Sequence, residues 1–429
     1  MLVDKFIRLI VVLTFVVSPG VMYLLGISYS SQTGGVIEKI HISTFLSFAL
    51  IVVMAVFSGK FTLRTARFSE IVFLFLIYSV ALVQMIYLGN PVTSILVTLF
   101  TSLFMIFLIC ASDRRNIDRL EGLVLSIILC NSVIGLLELF NGSSFLPTVA
   151  GNVVVQAESR AIGIIGHPLT SSFVTGMALL YLVISRMMTR FDYWSVIQIC
   201  IHAAAMLVFG GRVALTAVIV LLSFYALFDG STVVRKHPLV KGLRRFAFII
   251  GAFGLGGAIV GLGIADNALA RFVEDNGSAV TRFVALDIIT QLSPQQLAIG
   301  VTSAERSALM SAYGTEFGIE VTWIAWLVDY GFFTTLALMA ALYVTIRICL
   351  RGAGRYHYYM AAFFLICMTG SQGLGSKTLY LTWFVIMMLT FGRSDYGAKR
   401  RTQNVDENSR IAGSRILQPV GLRSTTAPG

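Results

Sequence analysis

Charge is what this 429-residue chain has least of: only 12% of its residues are Asp, Glu, Lys or Arg. A typical soluble domain carries about 25%, so a water-exposed globular surface is excluded over most of the length. Cysteine is scarce as well. The five are Cys110, Cys130, Cys200, Cys349 and Cys367, with no CxxC and no Cys/His cluster, and this pattern excludes a disulfide framework and a zinc site. No metal and no cofactor is expected. No internal repeat is visible, which leaves an inverted-repeat transporter without support. A cleavable secretory signal is also missing. The first apolar run comes after Asp4, Lys5 and Arg8, but it contains Ser18-Pro19-Gly20, has no small-x-small cleavage site and is succeeded by further runs. It reads as a retained first helix.

What the chain does have is apolar length. Hydrophobic residues make up 57% of it. Runs near the 20 residues that cross a bilayer recur at roughly 6–26, 41–57, 70–88, 92–111, 120–140, 166–185, 193–209, 213–228, 246–264, 321–346, 359–375 and 378–391. The expectation is an all-α polytopic membrane protein with about 12 transmembrane helices, in a range of 11–13. The membrane domain covers 1–393, with no soluble appendage. The polar, basic segment 394–429 reads as a disordered cytoplasmic tail.

The few charges are arranged by side. With the N-terminus in the cytoplasm, 25 of the 32 Lys and Arg residues fall in internal segments and the tail. The other seven, Lys39, Arg160, Arg212, Arg271, Arg282, Arg306 and Lys377, fall outside. Lys and Arg normally avoid outer loops, so both termini are placed in the cytoplasm. The pI of about 9.6 then reflects topology and anionic lipid rather than nucleic acid.

Two external segments are longer than a turn needs, about 141–165 and 265–320. In the second, Ala279–Leu292 has apolar residues at 280, 283, 284, 288 and 292, one helical face, and Ser293-Pro294 stops it. Several outward residues form candidate sites. Arg160-Ala-Ile-Gly-Ile-Ile-Gly-His167-Pro168 enters a span. Its glycines allow close backbone approach, Pro168 suits a first helical turn, and the free N–H groups there attract anions. Phe209-Gly210-Gly211-Arg212 joins two spans with almost no loop, so Arg212 must lie at the external boundary, where an unpaired cation is costly. Arg282 sits on the amphipathic segment. Glu316 and Glu320 share a helix face at i and i+4. Asp329 lies about two turns inside a span and needs a partner. Glu138 reads as interfacial, and Lys377 as one more outward cation. An anionic ligand, most simply a phosphate, fits these outward arginines.

Taken in order, these features resemble a family. Arg-x-x-Gly-x-x-x-His-Pro at a middle span, Gly-Arg at a later one, a long external loop with Arg and Gly300-Val301, and a carboxylate-x-Gly at Asp329–Gly331 resemble the bacterial Wzy polymerase and O-antigen ligase superfamily. The VpsF-like exopolysaccharide group is nearest, and the likeness covers roughly 155–335. It implies a GT-C-like, metal-independent glycosyltransferase in the bacterial inner membrane. Such an enzyme joins undecaprenyl-diphosphate-linked oligosaccharides, donor and acceptor, at the periplasmic face. A chain-length regulator or an export protein would be its further partners. Arg160, Arg212 and Arg282 match the family's diphosphate-binding arginines, expected to converge on one outward pocket. Glu320 or His167 would serve as base, with Glu316 and Asp329 in support. The sequence departs from the family at Glu320, where many relatives carry His. It also departs at Ser171, Ser223 and Ser293, where paired Arg-x10-Gly motifs would have Gly. A ligase transferring finished glycan, and a lipid-linked oligosaccharide flippase or transporter, are the alternatives.

Overall fold

The computed structural model describes residues 2–29, 35–58, 63–150, 153–155, 160–187, 193–229, 278–313, 319, 321–370 and 373–392. The apolar run 246–264, Arg271, Glu316, Glu320 and the tail 394–429 lie outside them. The side chain of Arg282 is likewise outside, although its backbone is helical.

The described chain is almost entirely helical. Helices α1 (Leu2–Val16) and α2 (Pro19–Leu24) split the first apolar run, because Ser18 caps α2 and Pro19 occupies its first position. Next come α3 (Ile42–Ser58), α4 (Phe68–Tyr87), α5 (Thr93–Ala111, with a π turn at Leu96–Phe100) and α6 (Arg114–Asn141). After them come α7 (Pro168–Tyr181), α8 (Tyr193–Phe209) and α9 (Arg212–Phe224). The later elements are α10 (Ser278–Thr290), α11 (Pro294–Ile299), α12 (Ser303–Ala312), α13 (Thr322–Leu350), α14 (Arg355–Gly370) and α15 (Tyr380–Thr390). One departure from the all-α expectation is a hairpin in the first long loop, β1 (Thr148–Ala150) antiparallel to β2 (Val153–Val155) with Ala150 opposite Val153.

Five helices are long and apolar enough to cross a membrane: Phe68–Tyr87, Thr93–Ala111, Arg114–Asn141, Pro168–Arg186 and Thr322–Leu350. Four shorter ones are apolar too: Ile42–Phe57, Tyr193–Phe209, Arg212–Phe228 and Tyr380–Thr390. The main core lies where α7, α14 and α15 meet. Phe173 stacks on Phe363 with ring centres 5.8 Å apart, and Phe364 stacks on Phe384 at 4.0 Å. Gly176 lets α7 and α14 approach, since a Cβ there would stand 2.5 Å from the Phe363 ring.

The connections fall into two sets. At one end, Arg64 N–H donates to Cys110 O (3.0 Å) and its guanidinium pairs with Asp113 (3.0 Å). Arg351 donates to Thr65 O (2.7 Å) and to Glu70. Buried Glu121 accepts from Tyr181 Oη (2.6 Å), Arg186 (3.0 Å) and Gly392 N–H (2.9 Å). At the other end, Lys377 donates to Tyr29 O and Lys39 O, and Thr98 binds Ser376 O (3.0 Å). Gly166 touches Ser18 there, and Gly20 touches Pro147. From α3 to α9, each helix runs from one set to the other.

Candidate functional site

The second end carries every described candidate residue, and all but Lys377 fall in two groups. The first is built on α6. Glu138, near the end of an apolar run, is buried within the protein. Its carboxylate accepts from Phe145 N–H (2.9 Å), Ile162 N–H (2.8 Å) and Gly163 N–H (2.9 Å). Earlier on α6, Asn131 Oδ1 accepts from Ile165 N–H (3.2 Å), and Ser171 Oγ donates to Ile162 O (2.6 Å). Unpaired amides in an apolar interior cost about 1–3 kcal/mol each, so these side chains determine the path of 160–166. Gly163 (φ +61°) and Gly166 (φ +80°) permit close approach as expected, but to Asn131 and Ser18 of the chain itself.

This loop delivers Arg160, half-buried, and His167, exposed and extended just before Pro168 at the first position of α7. Ser172, one turn on, accepts from Gly211 N–H at 3.1 Å. A Cβ on Gly211 would lie 2.5 Å from that hydroxyl, so the glycine lets the starts of α7 and α9 lie side by side. Arg212, the first residue of α9, therefore stands at the same corner as the 160–167 loop. Arg160, His167 and Arg212 all engage other groups of the protein.

The second group surrounds a break in α13. Gly331, at φ +69° and ψ 176°, is not helical. Val301 N–H donates to Val328 O (2.9 Å) in place of the lost helical bond. Gln84 on α4 donates to Ile299 O and Tyr330 O, both at 2.6 Å, and Asn90 donates to Val301 O at 2.9 Å. Gly300 and Gly331 pack backbone to backbone, with no room for a Cβ on either. Asp329 sits at this break, and its expected partner is Arg306 on α12, with Nε 2.7 Å from Oδ1. The Thr302 N–H and hydroxyl, with Gln296, hold neighbouring Glu305 below the usual carboxylate range.

Around the break, α10, α11, α12 and the start of α13 share a small apolar core of their own, including Ala285, Ile288, Val301, Met310, Ile324 and Val328. The amphipathic segment is thus a cap over the bundle. Ser293-Pro294 ends α10 and also begins α11, as its N-cap and first residue. Arg282 lies on α10 and Glu316 and Glu320 between α12 and α13, so the expected convergence of Arg282 with Arg160 and Arg212 falls outside the described side chains. The two groups are linked across this end by Trp326 Nε1–H donating to Leu374 O (3.0 Å) and by Tyr380 against Phe173 (4.8 Å between ring centres).

In sequence, Arg306 is only a flank of Arg282, Gln84 one residue in an apolar run, and Glu138 a residue of the interface. A polar residue inside an apolar helix is the available signal in the last two cases. Among the described residues no group of three or more His, Cys, Asp or Glu could hold a metal ion. The fold and these two groups define a chain that is almost entirely helical over its described residues, with helices long and apolar enough to cross a membrane and a polar end opposite its basic connections. No protein-family model, curated protein or solved structure matches it.

Proposed function

We propose that the chain is a polytopic protein of a bacterial inner membrane, with about 12 spans in a GT-C-like arrangement. In this reading it polymerises undecaprenyl-diphosphate-linked repeat units at the periplasmic face, as the Wzy-like resemblance implies. One observation carries the reading: Arg160 and Arg212, far apart in sequence, start at one corner of the bundle through the Gly211–Ser172 contact. That corner lies at the end opposite the basic connections at Arg64, Arg114, Arg186 and Arg351. A lipid diphosphate is already an activated leaving group. The protein must then neutralise developing negative charge and orient two long substrates, tasks suited to arginine forks.

The break in α13 favours a second reading, a lipid-linked oligosaccharide transporter, because transporters bind substrate at discontinuous helices near the bilayer midplane. Length argues against it. Residues 332–350 beyond the break would by themselves extend roughly 28 Å, close to the hydrocarbon thickness of about 30 Å. That length supports a break near the outer boundary, rather than two turns inside the span as the sequence suggests.

The test supplies purified protein in liposomes with lipid-linked oligosaccharide added only from outside. A ladder of products is expected, falling about 100-fold or more in Arg160→Ala and Arg212→Ala, as for loss of one preorganised charge donor. A single transfer would indicate a ligase, and transport without elongation a flippase. Wild-type elongation by both variants would remove the arginines from the mechanism.

A further inference from the structure

We propose that the Arg306–Asp329 pair at the α13 break binds the attacking hydroxyl of the incoming glycan, with Asp329 accepting its proton. The inference rests on the glycosyl-transfer reading above and gives it a second substrate site, apart from the Arg160–Arg212 corner.

The argument begins with charge. A lone Arg306 would suit an anion. Asp329, 5% exposed and 2.7 Å away, cancels that charge, and Glu305 stands next to it in sequence. A phosphate would meet no net positive field here. What is left over is hydrogen-bonding capacity. Among the described residues, Asp329 has no partner besides Arg306, and Arg306 none besides Asp329. The Arg306 side chain keeps 27% of its surface exposed, so its η nitrogens remain as donors. Asn90, 4% exposed, donates to Val301 O, yet its own Oδ1 takes no partner among the described residues. The break thus holds a guanidinium fork with surplus carboxylate and amide oxygens.

A ligand matching this set must both donate and accept, and must be neutral. Sugar hydroxyls meet all three requirements, and the partly exposed Arg306 side chain is where a glycan could reach this otherwise buried break. Other polar groups at the break are already committed to structure. Gln84 spans Ile299 O and Tyr330 O, and Thr334 donates to Gln84.

The step balances without a further reactant. The acceptor hydroxyl gives its proton to Asp329 as its oxygen forms the bond to the donor's anomeric carbon. The bond from that carbon to the diphosphate oxygen breaks, and its electron pair leaves with the lipid diphosphate. The proton then passes from Asp329 to water. Arg306 orients the carboxylate for the next acceptor.

The test uses the full chain in nanodiscs and the lipid-linked oligosaccharide extracted from the source cells after deletion of this gene. Polymer formation should fall about 100-fold or more in Asp329→Asn, the usual weight of a general base. It should fall more modestly in Arg306→Lys, which keeps the charge and loses the fork. A double variant, Arg306→Gln with Asp329→Asn, leaves neither charge buried alone and guards against misfolding; it too should be inactive while retaining its melting temperature. In parallel, the same oligosaccharide should protect Asp329 from dicyclohexylcarbodiimide, read by peptide mass. Polymer formation by Asp329→Asn within threefold of wild type overturns the proposal, and so does modification of Asp329 unaffected by substrate. Protection in a wild-type protein that makes no polymer would keep the glycan site and sink the polymerase reading instead.

Discussion

Lys377 illustrates how a single outward cation can be structural. Its ammonium donates to Tyr29 O and to Lys39 O (3.3 Å) and lies 3.7 Å from the centre of the Tyr29 ring. The opposite side of this cluster is His41, edge-on to Tyr29. Burial, with Lys39 nearby, pushes Lys377 down to about 8, against the pull of the two carbonyls. Between about 8 and the ordinary value of 10.5, the unfolded chain holds this proton and the folded chain does not, so stability rises with pH across that window. Lys377→Met should flatten that rise, which is worth roughly 3 to 4 kcal/mol over the whole window at 1.36 kcal/mol per pH unit. Melting of the detergent-solubilised wild type and variant at pH 8, 9 and 10 checks this; parallel curves would mean that Lys377 keeps an ordinary pKa. Sequence shows only that Lys377 faces outward, because its partners are carbonyls at 29 and 39, some 340 residues away. The role of Glu138 is hidden in the same way, since two of its three donors lie 24 and 25 residues on, across a loop.

Helices are more legible than breaks. Each described apolar run falls on a helix because about 20 apolar residues have few other ways to satisfy their backbone in lipid. The interruption at Ser18-Pro19 is visible in sequence, since proline removes a donor and serine caps the next helix. The interruption at Gly331 is not. A lone glycine in an apolar run is ordinarily tolerated, and this break depends on groups supplied by Val301, Gln84 and Asn90 from elsewhere in the chain. Substitution can separate the two causes of strain. Gly352 has φ +65° but open space around it, so Gly352→Ala should cost about 1 kcal/mol for backbone conformation alone. Gly331 has φ +69°, and a Cβ there would stand 2.4 Å from Ala298 O, a backbone atom that cannot swing aside. Gly331→Ala should therefore cost roughly 3 kcal/mol or more, combining strain at a glycine-only conformation with a displaced cap. Equal melting temperatures for the two variants would show that α11 does not pack against the break.

At the scale of the whole molecule, the decisive property is which end faces out. The described connections separate into two ends, and the basic ones gather at one. Each Lys or Arg near an anionic leaflet contributes about 1 kcal/mol. With 25 such residues in segments assigned to one side and seven to the other, the bias far exceeds the roughly 1.4 kcal/mol that a tenfold preference requires. The apolar flank agrees with this frame: Phe48, Phe57, Phe75, Val80, Val83 and Ile86 on α3 and α4 are exposed, as lipid-facing side chains should be. Single cysteines in a background lacking the five native ones test the orientation directly. Ile37, 74% exposed, and Ser143 lie at the cap end, while Arg115 and Tyr193, 79% exposed, lie at the basic end. A membrane-impermeant maleimide added to intact spheroplasts should label Ile37→Cys and Ser143→Cys, and reach Arg115→Cys and Tyr193→Cys only after permeabilisation. The opposite pattern would put Arg160, Arg212 and the Arg306–Asp329 pair in the cytoplasm, where no periplasmic polymer could form. Labelling of all four from outside would mean that the helices do not cross the bilayer as an alternating bundle.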